Sequence, residues 1–261
     1  MISEPFCISN EALNILGIWD QPHDFNKQPD KKVCLICIGL NGNRVEKNRM
    51  LIKLSRILTA RGISVVRFEY SGLGVSEGDF WNSSIQTKIA DTLKIINMIN
   101  ERYDDVELNL LSYSDGISVV LSMLDKEEIP FNKLIAWSPI IFPVESEVKE
   151  ALRFVREPRT KELVIPFGGL WLGKAYLRDL SHDNDLLNKL ISYSNKAHCV
   201  FGLADLKVQK TIEALQLIEH IEKVYIQEAD HEFSSKKWLD VVINQTVNWL
   251  VLEGKNTGAT N

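Results

Sequence analysis

The sequence predicts an α/β fold, in which a mainly parallel, doubly wound sheet carries an inserted helical cap. Two observations predict it. Short apolar runs alternate along the chain with stretches whose apolar residues recur at helical spacing, a pattern typical of parallel strands joined by crossover helices. Residues 140–196 then separate two of the strands, and this is far more chain than a crossover normally needs.

The first 70 residues contain four predicted strands and one predicted helix. PFCIS and LNILGIWDQP predict two antiparallel strands, and KVCLICIG predicts the first strand of the parallel sheet. A helix is predicted over residues 44–60, because Met50, Leu54 and Leu58 recur at 3.6-residue spacing and Gly62 provides a stop. ISVVRFEY predicts the next strand.

The alternation continues to the end of the chain. Ser83 or Ser84 caps a helix, VELNLLS predicts a strand, and a helix follows over residues 115–125. KLIAWSP, HCVFGLA and EKVYIQEA predict three more strands, and SKKWLDVVINQTVNWLVLEG predicts a closing amphipathic helix. Residues 1–139 and 197–253 are therefore the predicted α/β core, with residues 254–261 as a flexible tail.

Residues 140–196 break this rhythm. They contain helix-like pieces, a Gly168-Gly169 pair and several large apolar side chains, including Trp171. We predict a cap that covers one end of the sheet. The alternative is a second small domain unrelated to any active site.

Composition and charge exclude several classes of function. The formal net charge is -5 and the basic residues are scattered, so nothing indicates nucleic-acid binding. No apolar run reaches the roughly 18 residues of a membrane span, and the N-terminus does not have the pattern of a leader, so we expect a cytoplasmic protein. The CLIC run, Cys34 to Cys37, lies inside an apolar stretch that predicts a buried strand rather than a redox or metal site.

The literal G-x-S-x-G pattern, which presents the nucleophilic serine of many hydrolases, occurs at residues 74–78 and contains Ser76. A nucleophile elbow needs a strand before the serine and a helix directly after it. The polar run EGDFWNSS follows Ser76 instead. We therefore predict a tight glycine loop in which Ser76 is structural.

Ser114 has both of the elements that a nucleophile elbow requires, a predicted strand before it and a predicted helix after it. Apolar strand residues lead into SYSDG, and apolar residues then recur at helical spacing from Ile117 to Leu124. Ser112 replaces the first glycine of the pattern, one small residue for another. Ser114 is the predicted nucleophile, and the alternative is that it only caps the helix.

Candidates for the acid and the base follow in the expected chain order. A later strand ends at Asp205, and His231 comes just after the last strand. A serine hydroxyl needs an imidazole to accept its proton and a buried carboxylate to fix the tautomer of that ring. We predict Ser114, Asp205 and His231 as a catalytic triad. Asp230 is the alternative acid, although its place next to His231 is a poor one for bonding the ring.

Several segments together resemble a known family: ARGISVVRFEYSGLGVSEGDF, SYSDG, WSP, GLAD and ADHEF. They are similar to the serine aminopeptidase-like and exosortase-associated hydrolase branch of the α/β-hydrolase superfamily, and the resemblance extends from about Leu13 to Leu252. It implies the α/β-hydrolase fold, with Ser114 as nucleophile, Asp205 as acid and His231 as base. Ser76 would lie in the family's glycine loop.

The chain departs from this family after its first parallel strand. Relatives usually have His-Gly or Pro-Pro before the oxyanion residue, whereas this chain has CIGLNGN. We expect a backbone N–H of Leu40, or that of Asn41, to form an oxyanion hole with the N–H of Asp115. Asn41 and Trp171 are expected to contact the substrate.

These residues predict a serine hydrolase that cleaves an ester or thioester through an acyl-enzyme, without a cofactor or metal ion. The same triad would serve an acyltransferase or a cyclising thioesterase, and a ligand-binding protein on the same fold is the third alternative. An acyl carrier is a further candidate partner, because the basic run REPRTK could contact a carrier phosphate; that run is also typical of a solvated turn.

Overall fold

The structure is a computed structural model, and it describes residues 1–10, 13–142, 154–182 and 185–251. Its strands, in chain order, are β1 (Ile2–Asn10), β2 (Leu13–Gln21), β3 (Lys31–Cys37), β4 (Ser64–Phe68), β5 (Val106–Tyr113), β6 (Leu134–Trp137), β7 (Val155–Arg156), β8 (Leu163–Phe167), β9 (Leu170–Gly173), β10 (Ala197–Gly202) and β11 (Glu222–Ile226). Eight of them form one sheet, in the order β1-β2-β4-β3-β5-β6-β10-β11.

This sheet is antiparallel at one edge and parallel over the rest. β1 pairs with β2 and β2 with β4 in antiparallel register, and every pair from β4 to β11 is parallel. All five residues of β4 are buried, as expected of a strand that helices cover on both faces. The predicted doubly wound α/β-hydrolase fold is confirmed.

Seven α-helices accompany the strands in the described part of the chain. They are α1 (Met50–Thr59), α2 (Ile85–Arg102), α3 (Gly116–Leu124), α4 (Lys174–His182), α5 (Leu186–Ser192), α6 (Gln209–Leu215) and α7 (Lys236–Val251). Every residue of α3 is buried, because this helix lies against the sheet and between its neighbours α2 and α5. None of the helices within the described ranges is both long enough and apolar enough to cross a bilayer.

The first helix of the parallel part begins later than the sequence predicts. The spacing indicates a helix over residues 44–60, but α1 begins at Met50. The side chain of Asn43 accepts hydrogen bonds from the N–H groups of Val45 and Glu46, both at 2.9 Å, which closes a turn instead of a helix. Asn48 and Arg49 then take positive φ angles of 54° and 58°. Residues 38–46 are therefore a loop that follows β3, and a short 3-10 turn, Lys47–Arg49, leads into α1.

The inserted segment contains a small sheet that the sequence pattern did not predict. β7, β8 and β9 form a three-stranded antiparallel sheet, which precedes α4 and α5. Phe167 pairs with Leu170, and the two intervening residues, Gly168 and Gly169, have φ angles of 56° and 82°. A two-residue hairpin loop of type I′ requires this positive φ at both positions. The glycine pair is thus a hairpin signal. Two helices, α4 and α5, follow the small sheet, and the sequence indicates helix-like pieces in this segment without their bounds.

The cysteines of the CLIC run lie inside β3, as predicted. Cys34 and Cys37 are both fully buried and carry free thiols. Burial raises the pKa of Cys37 to about 12, so this thiol is neutral near pH 7 and is a poor nucleophile.

Candidate active site

Ser114 occupies a sharp turn between β5, which ends at Tyr113, and α3, which begins at Gly116. Its φ angle is 59°, an unusual conformation for a residue with a side chain and the one that a nucleophile elbow imposes. A Cβ atom on Gly116 would lie 2.5 Å from the carbonyl oxygen of Cys37, so only glycine lets the turn approach the end of β3 this closely. Strand, strained serine and helix follow one another as the sequence predicts.

The side chains of the three predicted triad residues form one continuous chain. Ser114 Oγ lies 2.9 Å from His231 Nε2, and His231 Nδ1 lies 2.6 Å from Asp205 Oδ2. An ionised carboxylate only accepts hydrogen bonds, so Nδ1 carries the proton and donates a hydrogen bond to Asp205. Nε2 is then an acceptor that faces the serine hydroxyl. This is the arrangement in which an imidazole can take a proton from Ser114.

The carboxylate of Asp205 is buried and held in place shortly after β10, which ends at Gly202. Its Oδ1 accepts a hydrogen bond from the N–H of Lys207 at 3.0 Å, which leaves Oδ2 for the imidazole. The alternative acid, Asp230, accepts from the N–H groups of Glu232 and Ser234 at 3.2 and 2.9 Å. Asp230 therefore closes the loop around His231 and does not bond its ring.

His231 is also supported from the elbow side. The hydroxyl of Tyr113 donates to the carbonyl oxygen of His231 at 3.2 Å, and the two rings stack with their centroids 5.7 Å apart. A Cβ on Gly202 would lie 2.4 Å from the carbonyl oxygen of Ala229, so the end of β10 packs directly on the loop that carries the histidine. These contacts fix both the backbone and the ring plane of His231.

Ser76 lies in a different environment, in the loop between β4 and α2. Its hydroxyl donates to the carbonyl oxygen of Glu69 at 2.7 Å and accepts from the N–H of Leu16 at 2.9 Å. No helix begins directly after it, because α2 starts at Ile85. The serine of the literal G-x-S-x-G pattern thus joins the loop to β2.

The predicted oxyanion residues come together in an unexpected way. The N–H of Leu40 donates to the side-chain Oδ1 of Asp115 at 2.6 Å. The sequence prediction assigned Asp115 only a backbone role. Asn41, the other expected donor, is exposed and follows Leu40 directly. Its side-chain nitrogen would lie 2.8 Å from a Cβ on Gly168, in the hairpin between β8 and β9.

Two further residues contact this region that the sequence pattern does not predict. The hydroxyl of Tyr176, in α4, donates to Oδ2 of Asp115, and the buried ammonium of Lys88, in α2, donates to the carbonyl oxygens of Gly39 and Leu40. Lys88 follows Ile85 by three positions and so lies on the apolar face of α2. A charged residue at a core position is the signal that could have found it.

Parts of the inserted segment that the structure describes contact the end of the sheet that carries Ser114, whereas residues 143–153 and 183–184 lie outside the described residues. Besides the contacts of Tyr176 and Gly168, β9 packs on the loop before α2, where a Cβ on Gly173 would overlap the carbonyl oxygen of Trp81. Trp171 is half-buried in β9, opposite Pro166. Its contact with a substrate remains a prediction.

Comparison with known sequences decides the family. The profile of the serine aminopeptidase S33 family of hydrolases matches residues 28–220, which is most of the chain and includes both Ser114 and Asp205. The chain belongs to this family. As an S33-type α/β-hydrolase it is an enzyme of the serine hydrolase group. A search of curated protein sequences gives no significant match.

Solved structures share the fold of this S33-type hydrolase at low sequence identity. Est1E from Butyrivibrio proteoclasticus with bound ferulic acid is 17% identical with a TM-score of 0.76, and the match covers 95% of this chain and 100% of that one. The Pf2001 esterase from Pyrococcus furiosus is 16% identical, with a TM-score of 0.65 and coverage of 95% and 90%. A serine hydrolase without a lid from Xanthomonas campestris is 18% identical, with a TM-score of 0.57 and coverage of 97% for both chains.

Proposed function

We propose that this hydrolase cleaves a carboxylic ester or thioester through an acyl-enzyme formed on Ser114, with His231 as base and Asp205 as acid. The observation that carries the proposal is the unbroken chain of side chains from Ser114 through His231 to the buried Asp205, with separations of 2.9 and 2.6 Å. A hydroxyl is a weak nucleophile near pH 7 until a positioned base removes its proton.

The chemistry follows from these contacts. Ser114 Oγ attacks the carbonyl carbon of the substrate while its proton passes to His231 Nε2. Asp205 stabilises the imidazolium and continues to accept the hydrogen bond from His231 Nδ1. The tetrahedral intermediate then expels the alcohol or thiol, which takes the proton from Nε2. A water molecule repeats the sequence on the acyl-enzyme and releases the acid.

The negative oxygen of the tetrahedral intermediate needs fixed donors. We propose the N–H of Asp115, at the start of α3, together with an N–H of the Leu40-Asn41 segment that follows β3. The Leu40 N–H already donates to the Asp115 carboxylate, which favours Asn41 as the second donor.

Covalent labelling tests the proposed function. A fluorophosphonate probe should label the protein once, and peptide mapping should place the label on Ser114. Ser114→Ala should remain unlabelled, while Ser76→Ala should label as the wild type does. Absence of labelling, or a label on Ser76, would contradict the proposal.

A panel of acyl esters and acyl thioesters should then identify the substrate class. Because the structurally similar Est1E was solved with ferulic acid, the panel should include feruloyl and other aromatic esters beside linear chains of increasing length. Product analysis in the presence of an added alcohol or amine separates hydrolysis from acyl transfer: free acid supports the proposal, and a transferred acyl group supports the acyltransferase alternative. An acyl carrier loaded with the best acyl group tests the carrier as a partner.

We expect Trp171 to line the acyl pocket beneath the cap. Trp171→Ala should change selectivity between short and long acyl chains by about 1 to 3 kcal/mol, the range over which an apolar pocket discriminates size. The measurement is the ratio of kcat/KM values across the ester panel. Trp238→Ala, which removes a partly buried tryptophan from α7, is the matched control and should leave the ratios unchanged. Unaltered ratios in Trp171→Ala would reduce this residue to a packing role.

A further inference from the structure

A buried lysine side chain binds the loop that follows β3. Lys88 is only 1% exposed, and its Nζ donates to the carbonyl oxygens of Gly39 and Leu40 at 3.3 and 3.0 Å. These carbonyls belong to two consecutive peptide units. One ammonium group therefore fixes the orientation of both units.

The N–H groups of the same two units must face the other way. Both peptide bonds are trans, and in a trans peptide the N–H points opposite to the carbonyl of its own unit. The Leu40 N–H therefore points away from Lys88, and it does donate to Asp115 Oδ1 at 2.6 Å. The Asn41 N–H shares its peptide unit with the Leu40 carbonyl, so it also points away from Lys88.

The Asp115 carboxylate binds this loop on the side opposite Lys88. Its Oδ1 takes the Leu40 N–H, and its Oδ2 accepts from the hydroxyl of Tyr176, a fully buried residue of the cap helix α4. A Cβ on Gly39 would lie 3.0 Å from this Oδ1 and 3.2 Å from Ser114 Cβ, so the contact is made directly beside the elbow. Elbow, loop and cap meet at one carboxylate.

Burying an ammonium group carries a large desolvation cost, so its contacts at this position need an explanation. Burial lowers the pKa of Lys88 to about 8, although the nearby carboxylates of Asp115 and Asp91 act in the opposite direction. The rings of Tyr70 and Tyr176 lie 4.8 and 5.4 Å from Nζ and provide cation–π stabilisation. An apolar side chain would fill this core position at a lower cost in desolvation, but it would leave two loop carbonyls without their donor.

We propose that Lys88 is the positioning residue of the oxyanion hole. Its ammonium donates hydrogen bonds to the carbonyls of Gly39 and Leu40, and the Asp115 carboxylate accepts one from the Leu40 N–H. These bonds orient the Asn41 N–H toward the oxyanion. Lys88 does not touch the substrate. This inference rests on the proposed function, because an oxyanion forms only if Ser114 attacks an acyl group.

Lys88→Met tests the inference, because methionine keeps most of the side-chain volume and removes the charge and its donors. We expect kcat to fall by about 10² to 10³, the usual effect of losing one oxyanion donor, with KM changed by less than about threefold. Affinity for a boronic acid, whose tetrahedral adduct imitates the intermediate, should fall by the same factor as kcat. Affinity for the carboxylic acid product should be unchanged.

Lys94→Met provides the matched control, since Lys94 is an exposed lysine on the same helix. Its kcat and its boronic acid affinity should equal those of the wild type. Rates are normalised to the fraction of active enzyme, which a burst titration measures, so that partial unfolding of Lys88→Met does not imitate the expected result. An unchanged kcat, or equal losses of affinity for boronic acid and product, would overturn the inference.

If Lys88→Met does not fold, Tyr176→Phe takes its place. This variant removes a single oxygen atom and frees Oδ2 of Asp115, and kcat should fall by about tenfold at constant KM. An unchanged kcat in this folded variant overturns the inference. Labelling of the wild type at Ser114 separates failure of this inference from failure of the proposed function. If the wild type is labelled and the variant is unaffected, only the role of Lys88 is overturned. If the wild type is unlabelled and inactive, the proposed function is overturned as well.

Discussion

Ser114→Ala is expected to lower kcat by about 10⁴ to 10⁶, because the variant loses the atom that forms the acyl-enzyme while the donors of the oxyanion hole remain. KM should change little, since the alanine removes one oxygen at a half-buried position. Steady-state kinetics with the best ester of the panel measures the loss. The burst of product that reports acylation should disappear together with kcat.

Ser76→Ala is the matched control for this prediction. The two variants remove the same atom from the same residue type, and Ser76 belongs to the literal G-x-S-x-G pattern. Its kcat should remain within about tenfold of the wild type. Its stability should fall by about 1 to 3 kcal/mol, because the N–H of Leu16 loses its acceptor in a partly buried site. Equal losses of kcat at both positions would contradict the elbow assignment.

The contrast between the two serines shows which sequence signal predicts a strand–turn–helix elbow. Five letters around Ser76 match a pattern, but the physical requirement is a strained turn between a strand and a helix. That requirement depends on hydrophobic periodicity over many residues, and the sequence around Ser114 satisfies it. Chain order then predicts Asp205 and His231, because parallel strands bring their carboxyl ends to one edge of the sheet.

Features that depend on a few side-chain contacts were less predictable. The turn around Asn43 interrupts a stretch with helical spacing, so the spacing predicts a start of α1 that is earlier than Met50. The small sheet of the inserted segment has only short strands, of which β7 has two residues, and so it gives little periodic signal. Lys88 and Tyr176 reach the oxyanion loop from distant helices, and their contact with it exists only after the chain has folded.

Asp205→Asn is expected to lower kcat by about 10⁴, the loss seen when a triad carboxylate becomes an amide and the histidine takes the wrong tautomer. The contacts of Asp205 predict that tautomer. The N–H of Lys207 can only donate, so it keeps the amide oxygen of the asparagine on its side. The amide NH₂ must then face His231 Nδ1 and donate to it. Nε2 becomes protonated and can no longer accept the proton of Ser114.

Asp230→Asn is the matched control, because it makes the same chemical change one residue before the histidine. Its side chain accepts from Glu232 and Ser234 and does not contact the ring, so kcat should remain within about tenfold of the wild type. Steady-state kinetics gives kcat, and NMR of the imidazole nitrogens in each resting enzyme gives the tautomer. A proton on Nδ1 is expected in the wild type and in Asp230→Asn, and one on Nε2 in Asp205→Asn. Loss of activity in Asp230→Asn with retention in Asp205→Asn would reverse the acid assignment.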